Sequence, residues 1–421
     1  MRTTLTIVLM VLGSAIFAQT SPFKVLTEKE VNFLFDYYEQ DGNHSPVTGG
    51  VGTEKLDCIA PSTSINIPFD TIHSLSVNIG MDYYSSASSN RIDRFVTSAS
   101  SMYLSSASSQ DVRVHLDATY TLENPVKKSS KGLMLGFSAE FDVTSFSGGL
   151  HYTKSDMDEN MQFGIGATVY YDAWKLIYPG EVRDGVSYSF GNDDSDHRVT
   201  STLTLSYAQV LTRKLQMFLT TDIVYQSGIL NTPFHRVYFD DGLEIDNPGT
   251  NDLLIAKTMK IEHLPRSRLK IPVGLRLNYY LSDRITTRLF YRYYSDDFGI
   301  NAHTFSVELP VKVAPWLTVY PLYRYHHQTA SKYFAPFGEH PLDENFLPSE
   351  TYYTSDYDLS GFSNNKVGGG FRISPTYGLK KWNFSQRTNL TFKSIEFRYA
   401  YYNRSDGLTA NTYSFALSFV F

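Results

Sequence analysis

Four residues near the front of the chain have the chemistry of a ligand site. In "YYEQDGNHSPVTGGVGTEKLD", Glu39, Asp41, His44 and Glu54 bring three carboxylates and one imidazole into a stretch of about twenty residues. Carboxylates and imidazole are the usual oxygen and nitrogen ligands of divalent ions. The same residues suit a folded plug, because Gly42, Gly49, Gly50 and Gly52 mark tight turns rather than regular structure. No metal, cofactor or catalytic residue is assigned on this basis. His326 and His327 could serve as base or ligand, but no G-x-S-x-G or H-E-x-x-H motif stands with them.

A second set of charged residues recurs along the chain at regular spacing. Asp82, Arg113, His115, Asp117, Glu140, Asp142, Asp172 and Asp222 occupy the first half. Arg276, Arg288, Arg292, Glu308, Lys312, Arg324, His326, Arg372, Glu396 and Arg398 occupy the second. Each sits between large apolar residues that alternate with a period of two. That period belongs to β-strands with one apolar and one polar face.

The elements that carry these charges number about fourteen. Examples are "HSLSVNIGMDYY", "VRVHLDATYTL", "MQFGIGATVYYD", "RITTRLFYRYY" and the terminal "NTYSFALSFVF". Each is near the length of ~9–11 residues that a tilted strand needs to cross a bilayer. Four long connections, 85–111, 173–198, 229–269 and 330–364, fall on one side of the resulting up-and-down order, and Phe421 falls on the other. Trp316 and Trp382 fall on the short-turn side and Trp174 on the long-loop side, as interfacial tryptophans do. The expectation is an all-β, transmembrane antiparallel up-and-down barrel of about 14 strands, with 12 or 16 as alternatives, in the cell outer membrane.

The domain order follows. Arg2, the apolar run Leu5 to Phe17 and a cut after Ala18 read as a signal peptide over 1–18. Residues 19–72 read as an N-terminal periplasmic or plug segment. A capping box from Thr27 to Glu30 leads into a short helix with Val31, Leu34, Phe35 and Tyr38 on one face. Residues 73–421 form the barrel. The net charge of −6 gives no footprint for nucleic acid, and the single Cys58 excludes an internal disulfide. The segments "DYYSSASSNRID" and its neighbours repeat an SAS core at 86–88, 98–100 and 106–108, as flexible loops do.

The charges on the polar faces have two readings. They pair across a narrow barrel as a structural network, or they set a transverse field across a water-filled pore that favours zwitterionic or dipolar solutes. Transport is the leading function class, ahead of a structural or partner-binding barrel, a hydrophobic-solute transporter or an enzyme.

Two family resemblances add to this. The terminal strand closed by Phe421 resembles the assembly signal of bacterial outer-membrane proteins, which implies the barrel-assembly machinery and membrane lipid as partners. "YYEQDGNHSPVTGGVGTEKL" (37–56) and "DYYSSASSNRID" (82–93) resemble an uncharacterised family of Gram-negative outer-membrane barrels. Its members are often encoded near thioredoxin-like and flavin-transferring periplasmic proteins. That implies periplasmic redox proteins as partners, although Cys58 alone cannot form a dithiol pair.

Overall fold

The computed structural model describes residues 28–85, 110–179, 194–242, 258–385 and 388–421. The expected signal peptide and the SAS repeats lie outside the described residues. All fourteen expected strands are present, and two more precede them. In chain order the barrel strands are β1 (Glu30–Asp41), β2 (Leu56–Pro68), β3 (His73–Ser85), β4 (Gln110–Asn124), β5 (Ser129–Ala139), β6 (Val143–Ser155), β7 (Met161–Lys175), β8 (Ser195–Thr212) and β9 (Leu215–Gly228). They continue as β10 (Ser267–Ser282), β11 (Ile285–Asp296), β12 (Asn301–Glu308, resuming at Val311–Ala314), β13 (Leu317–Gln328), β14 (Phe362–Ile373, resuming at Lys380–Ser385), β15 (Thr388–Arg404) and β16 (Thr409–Val420). Each pairs antiparallel with its sequence neighbours, and β1 pairs with β16, which closes a barrel of 16 strands.

The N-terminal expectation is therefore corrected. Residues 30–41 form a strand, not a helix, and both 30–41 and 56–68 belong to the barrel wall rather than to a plug. The segment "EVNFLFDYYEQD" satisfies two periods at once. Helical spacing groups Val31, Leu34, Phe35 and Tyr38; strand spacing groups Val31, Phe33, Phe35 and Tyr37. The second grouping wins because it meets lipid on one side and finds two neighbours to complete its backbone hydrogen bonds. Phe33 packs edge-on against Phe419 at 5.8 Å and Tyr37 stacks on Tyr413 at 5.9 Å across the seam. Lys29 and Phe421 exchange backbone hydrogen bonds of 3.0 and 2.9 Å at its foot.

The outer wall carries the apolar residues. Leu135 is 61% exposed, and Phe146, Leu150, Phe163, Ile165, Tyr225 and Val367 are exposed on other strands. The connections sort by end. Beside the described ends of the chain, 28 and 421, they are 69–72, 125–128, 156–160, 213–214, 283–284 and 315–316, together with the strand end at Ser385. At the opposite end the strands stop at residues 41, 85, 139, 175, 228, 296, 328 and 404, and all four expected long connections leave from these ends. Trp316 and Trp382 fall towards the turn end as expected. Trp174 lies at the loop end as expected, but inside β7 and on the inward face with Asp172, where the Arg198 guanidinium lies 5.2 Å from its ring.

The largest cluster of buried hydrophobic side chains stands off the wall. Val237, Tyr238, Phe239, Leu264, Phe298 and Ile300 are buried in the connections of the loop end. There a small sheet forms: 236–240 pairs antiparallel with 259–261 and parallel with 340–341.

Candidate functional site: the charged lumen and its loop cap

The alternation that turns Leu, Phe and Tyr outward turns the intervening charges inward. Asp117, Asp172 and Asp222 line one part of the lumen; Arg276, Arg288, Arg292, Arg324, Arg372 and Arg398 line the other. Glu140 borders the inward cavity with Arg113, Asp117 and Asp172, but neither it nor Asp142 belongs to a strand. They sit in the 140–142 turn at the loop end, because β5 stops at Ala139 and β6 starts at Val143. There the Tyr84 hydroxyl donates to Glu140 at 2.9 Å. Burial, then the neighbouring Glu140, pushes the Asp142 carboxyl up to about 6.

The inward charges pair along the wall, not across the lumen. Glu308 takes Arg288 at 2.7 Å and Arg398 at 3.0 Å; Arg398 reaches Glu396 at 2.6 Å, and Glu396 lies 4.0 Å from Arg372. To reach Glu308, Arg398 crosses the inner face of β14 and packs 4.6 Å from the Tyr320 ring centre. Gly370 makes this path possible: a Cβ there would stand 2.7 Å from Arg398 Cγ. Elsewhere Asp172 takes Arg198 at 2.8 Å and Ser145 at 2.6 Å, Asp82 lies 3.9 Å from Arg113, and Asp222 accepts from Thr204 at 2.6 Å.

One basic row makes no ion pair among the described residues. Arg276, Phe290, Ser306, Arg324, Lys366 and Tyr402 are successive cross-strand partners. Arg324 and Lys366 stand directly opposite each other, an arrangement that like charges make unfavourable. Arg292 lies one step nearer the loop end, in register with Thr304 and His326. Sequence reading missed Lys366 and Arg198. Their parity was legible, but their partners depend on strand register.

Despite facing inward, Arg288 and Arg113 keep 51% and 49% of their side-chain surface accessible. In porins, barrels of 16 to 18 strands are wide enough for an aqueous channel.

The loop end carries a folded cap. The sequence motif at 42–55 belongs to it, not to a plug at the turn end. His44 stacks on Tyr357 at 3.8 Å, its Nδ1 lies 3.0 Å from the Gly50 carbonyl, and its N–H donates to Glu54 at 3.0 Å. Gly49 has φ 78° and a Cβ there would meet the Tyr238 ring at 2.4 Å; Gly50 has φ 91° and approaches the Ser355 carbonyl. Arg236 Nη1 donates to the Val47 carbonyl at 2.7 Å. Glu39 and Asp41 remain apart from this pair: Glu39 accepts from Asn411 at 2.9 Å, and Asp41 ends β1. The four residues do not converge on one point. The motif is a docking element, and burial pushes the Glu54 carboxyl above its usual range.

Inward side chains of the rim hold the cap. Gln40 donates to the Glu54 carbonyl at 2.9 Å, Gln328 to the Asp358 and Ser360 carbonyls at 3.0 and 2.8 Å, and Arg404 to the Asp358 carboxylate at 2.6 Å. Within the cap, His235 faces Glu262 and Asp356. Burial pushes Asp356 up to about 6. Burial would lower His235, but the facing Glu262 and Asp356 outweigh it and raise it. His326 and His327 make no catalytic pair. His326 turns inward to Thr304 and Gln328, whereas His327 takes the opposite face, in register with His303.

A closed barrel with an apolar outer wall, a charged interior and loops sorted to one end is a membrane barrel of the outer-membrane type. The chain belongs to an uncharacterised family, described as protein of unknown function (DUF3570), whose model matches residues 6–413. The comparison with curated proteins gives no match. Among solved structures it is similar to a ferric enterobactin receptor mutant from Pseudomonas aeruginosa, at 9% identity and TM-score 0.42, over 90% of this chain and 54% of the receptor. The chain thus spans about half the length of that receptor. It is also similar to a bacterial polysaccharide outer membrane secretin (8% identity, TM-score 0.43, 94% and 100% of the two chains) and to the CymD monoaromatic hydrocarbon channel (10%, 0.36, 98% and 91%). These likenesses concern the barrel fold alone.

Proposed function

We propose that this protein is an outer-membrane channel for small polar solutes, with the loop end and its cap facing outward and the charged lumen as the path. The observation that carries this reading is the half-accessible state of Arg288 and Arg113 on the inward face. Side chains that merely filled a narrow barrel would be buried against one another. The unpaired basic row of Arg276, Arg324 and Lys366 faces a lumen whose other part holds Asp117 and Asp222. A zwitterion offers a carboxylate to the first and an ammonium to the second, so this class of solute fits best. The lipid-facing wall and β16, followed directly by Phe421, suit insertion by the barrel-assembly machinery. Proteoliposomes carrying the folded protein should swell faster in an isotonic zwitterionic amino acid than protein-free liposomes. Equal swelling rates would count against the channel.

A further inference from the structure

We propose that His235, Glu262 and Asp356 bind one divalent first-row transition ion of the zinc type, and that this ion pins two connections of the cap together. His235 and Glu262 come from the 229–266 connection and Asp356 from the 329–361 connection, so a shared ion would join chain segments about a hundred residues apart.

The first observation is the imidazole. His235 Nδ1 is buried and has no hydrogen-bond partner, yet it points between two carboxylates. It stands 3.7 Å from Glu262 Oε2 and 3.9 Å from Asp356 Oδ2. Those separations are too long for hydrogen bonds. They suit ligands around an ion: two atoms each ~2.1 Å from zinc at a tetrahedral angle lie roughly 3.4 Å apart. A contraction of a few tenths of an ångström would complete the site.

The second observation is the state of the carboxylates. Glu262 is buried, and neither Glu262 nor Asp356 makes an ion pair with Lys or Arg among the described residues. Buried charges are ordinarily paired or bound to metal, and one imidazole cannot balance two carboxylates.

The third observation is that both carboxylates are already oriented. Glu262 Oε2 accepts from the Thr232 N–H at 2.8 Å, and Oε1 accepts from the Thr354 hydroxyl at 2.5 Å. Asp356 Oδ1 accepts from the Asp358 N–H at 2.9 Å, which leaves Oδ2 turned to His235. Outer hydrogen bonds of this kind fix the ligands of metal sites. One nitrogen and two oxygens favour a borderline ion over calcium or magnesium, which prefer all-oxygen shells.

The test uses the full folded protein in detergent, stripped with a chelator and titrated with Zn2+. The expected result is one tightly held zinc per chain that excess Ca2+ does not displace. His235→Gln and Asp356→Asn should each weaken it at least about tenfold, while His263→Gln, elsewhere in the cap, should not. Co2+ added to the wild-type protein should give visible absorption bands that one equivalent of Zn2+ abolishes. Absence of stoichiometric zinc, or wild-type affinity in both ligand variants, would overturn the site. If the variants fail to fold, a wild-type protein without zinc-sensitive cobalt bands overturns it alone.

Discussion

The wall and the cap solve the same problem with opposite architectures. In the wall, large apolar side chains point away from the protein, and stability comes from a closed hydrogen-bond ladder whose apolar face meets lipid. In the cap, Val237, Phe239 and Phe298 point into one another, and irregular chain is held by buried hydrogen bonds such as Thr354 to Glu262. The wall is a one-layer structure with its greasy side outward; the cap is a small globule set on the rim. A substitution should therefore act locally in the cap and on membrane insertion in the wall.

The largest expected effect tests that independence. Phe239 is 1% exposed, between His340 at 5.7 Å and Tyr353 at 5.0 Å. Phe239→Ala should cost the cap about 3–5 kcal/mol. Limited proteolysis should then cut the loop end, while the barrel keeps its heat-modifiable electrophoretic mobility. Loss of that mobility would show that cap and wall fold as one unit.

Next comes a charge on the lipid face. Leu135→Arg, near the middle of β5, should cost about 2–4 kcal/mol and lower the folded yield in the membrane. Thr204→Arg, inward and beside Asp222, should leave that yield near the wild-type level. Equal losses would mean that the inside and outside of the wall have been confused.

A smaller effect concerns the docking loop. Gly49→Ala places a Cβ against Tyr238 and keeps a left-handed backbone, at a cost of about 1–3 kcal/mol. Hydrogen exchange should rise in 42–55 and not in β1 or β2. Uniform exchange across all three would argue against a separately docked loop.

The smallest effect is electrostatic, at the rim outside the cap. Asp142 faces Glu140 and Asp111, and Lys175 lies nearby over Phe141. Its carboxyl is raised to about 6 in the folded protein, against an ordinary value of 3.8. The fold therefore holds the proton more tightly than the unfolded chain does. The stability this gives is present below pH 4 and is lost as pH rises through about 6. Asp142→Asn should raise the thermal midpoint at pH 7 and leave it unchanged at pH 4. A shift of the same size at both would assign the effect to packing rather than charge.

What was legible in the sequence follows from the same contrast. A wall strand announces itself, because lipid on one side and water on the other impose strict alternation over ten or more residues. "RITTRLFYRYY" and "SFALSFVF" show that pattern plainly. The first strand did not, because "EVNFLFDYY" satisfies two periods, and only its pairing with β2 and β16 decides between them. β2 was missed because Pro61 and Thr63 interrupt the apolar face that Ile59, Ile65 and Ile67 otherwise carry. The cap was illegible for a different reason. Its core comes from residues in separate connections, such as Phe239, Phe298 and Tyr353, with no shared period. Among the inward charges, parity placed Arg288 and Arg398 correctly, but nothing in the sequence says that Arg398 bends over Gly370 to meet Glu308.

The central claim is that water and solutes can occupy the charged lumen, and planar-bilayer recording tests it most directly. Folded wild-type protein should give discrete conductance steps. Arg292 and Arg324 make no ion pair among the described residues, so Arg292→Glu combined with Arg324→Glu should move ion selectivity towards cations without disturbing the Glu308 network. Silent bilayers from protein confirmed as folded, or a reversal of both charges that leaves selectivity where it was, would contradict a conducting lumen.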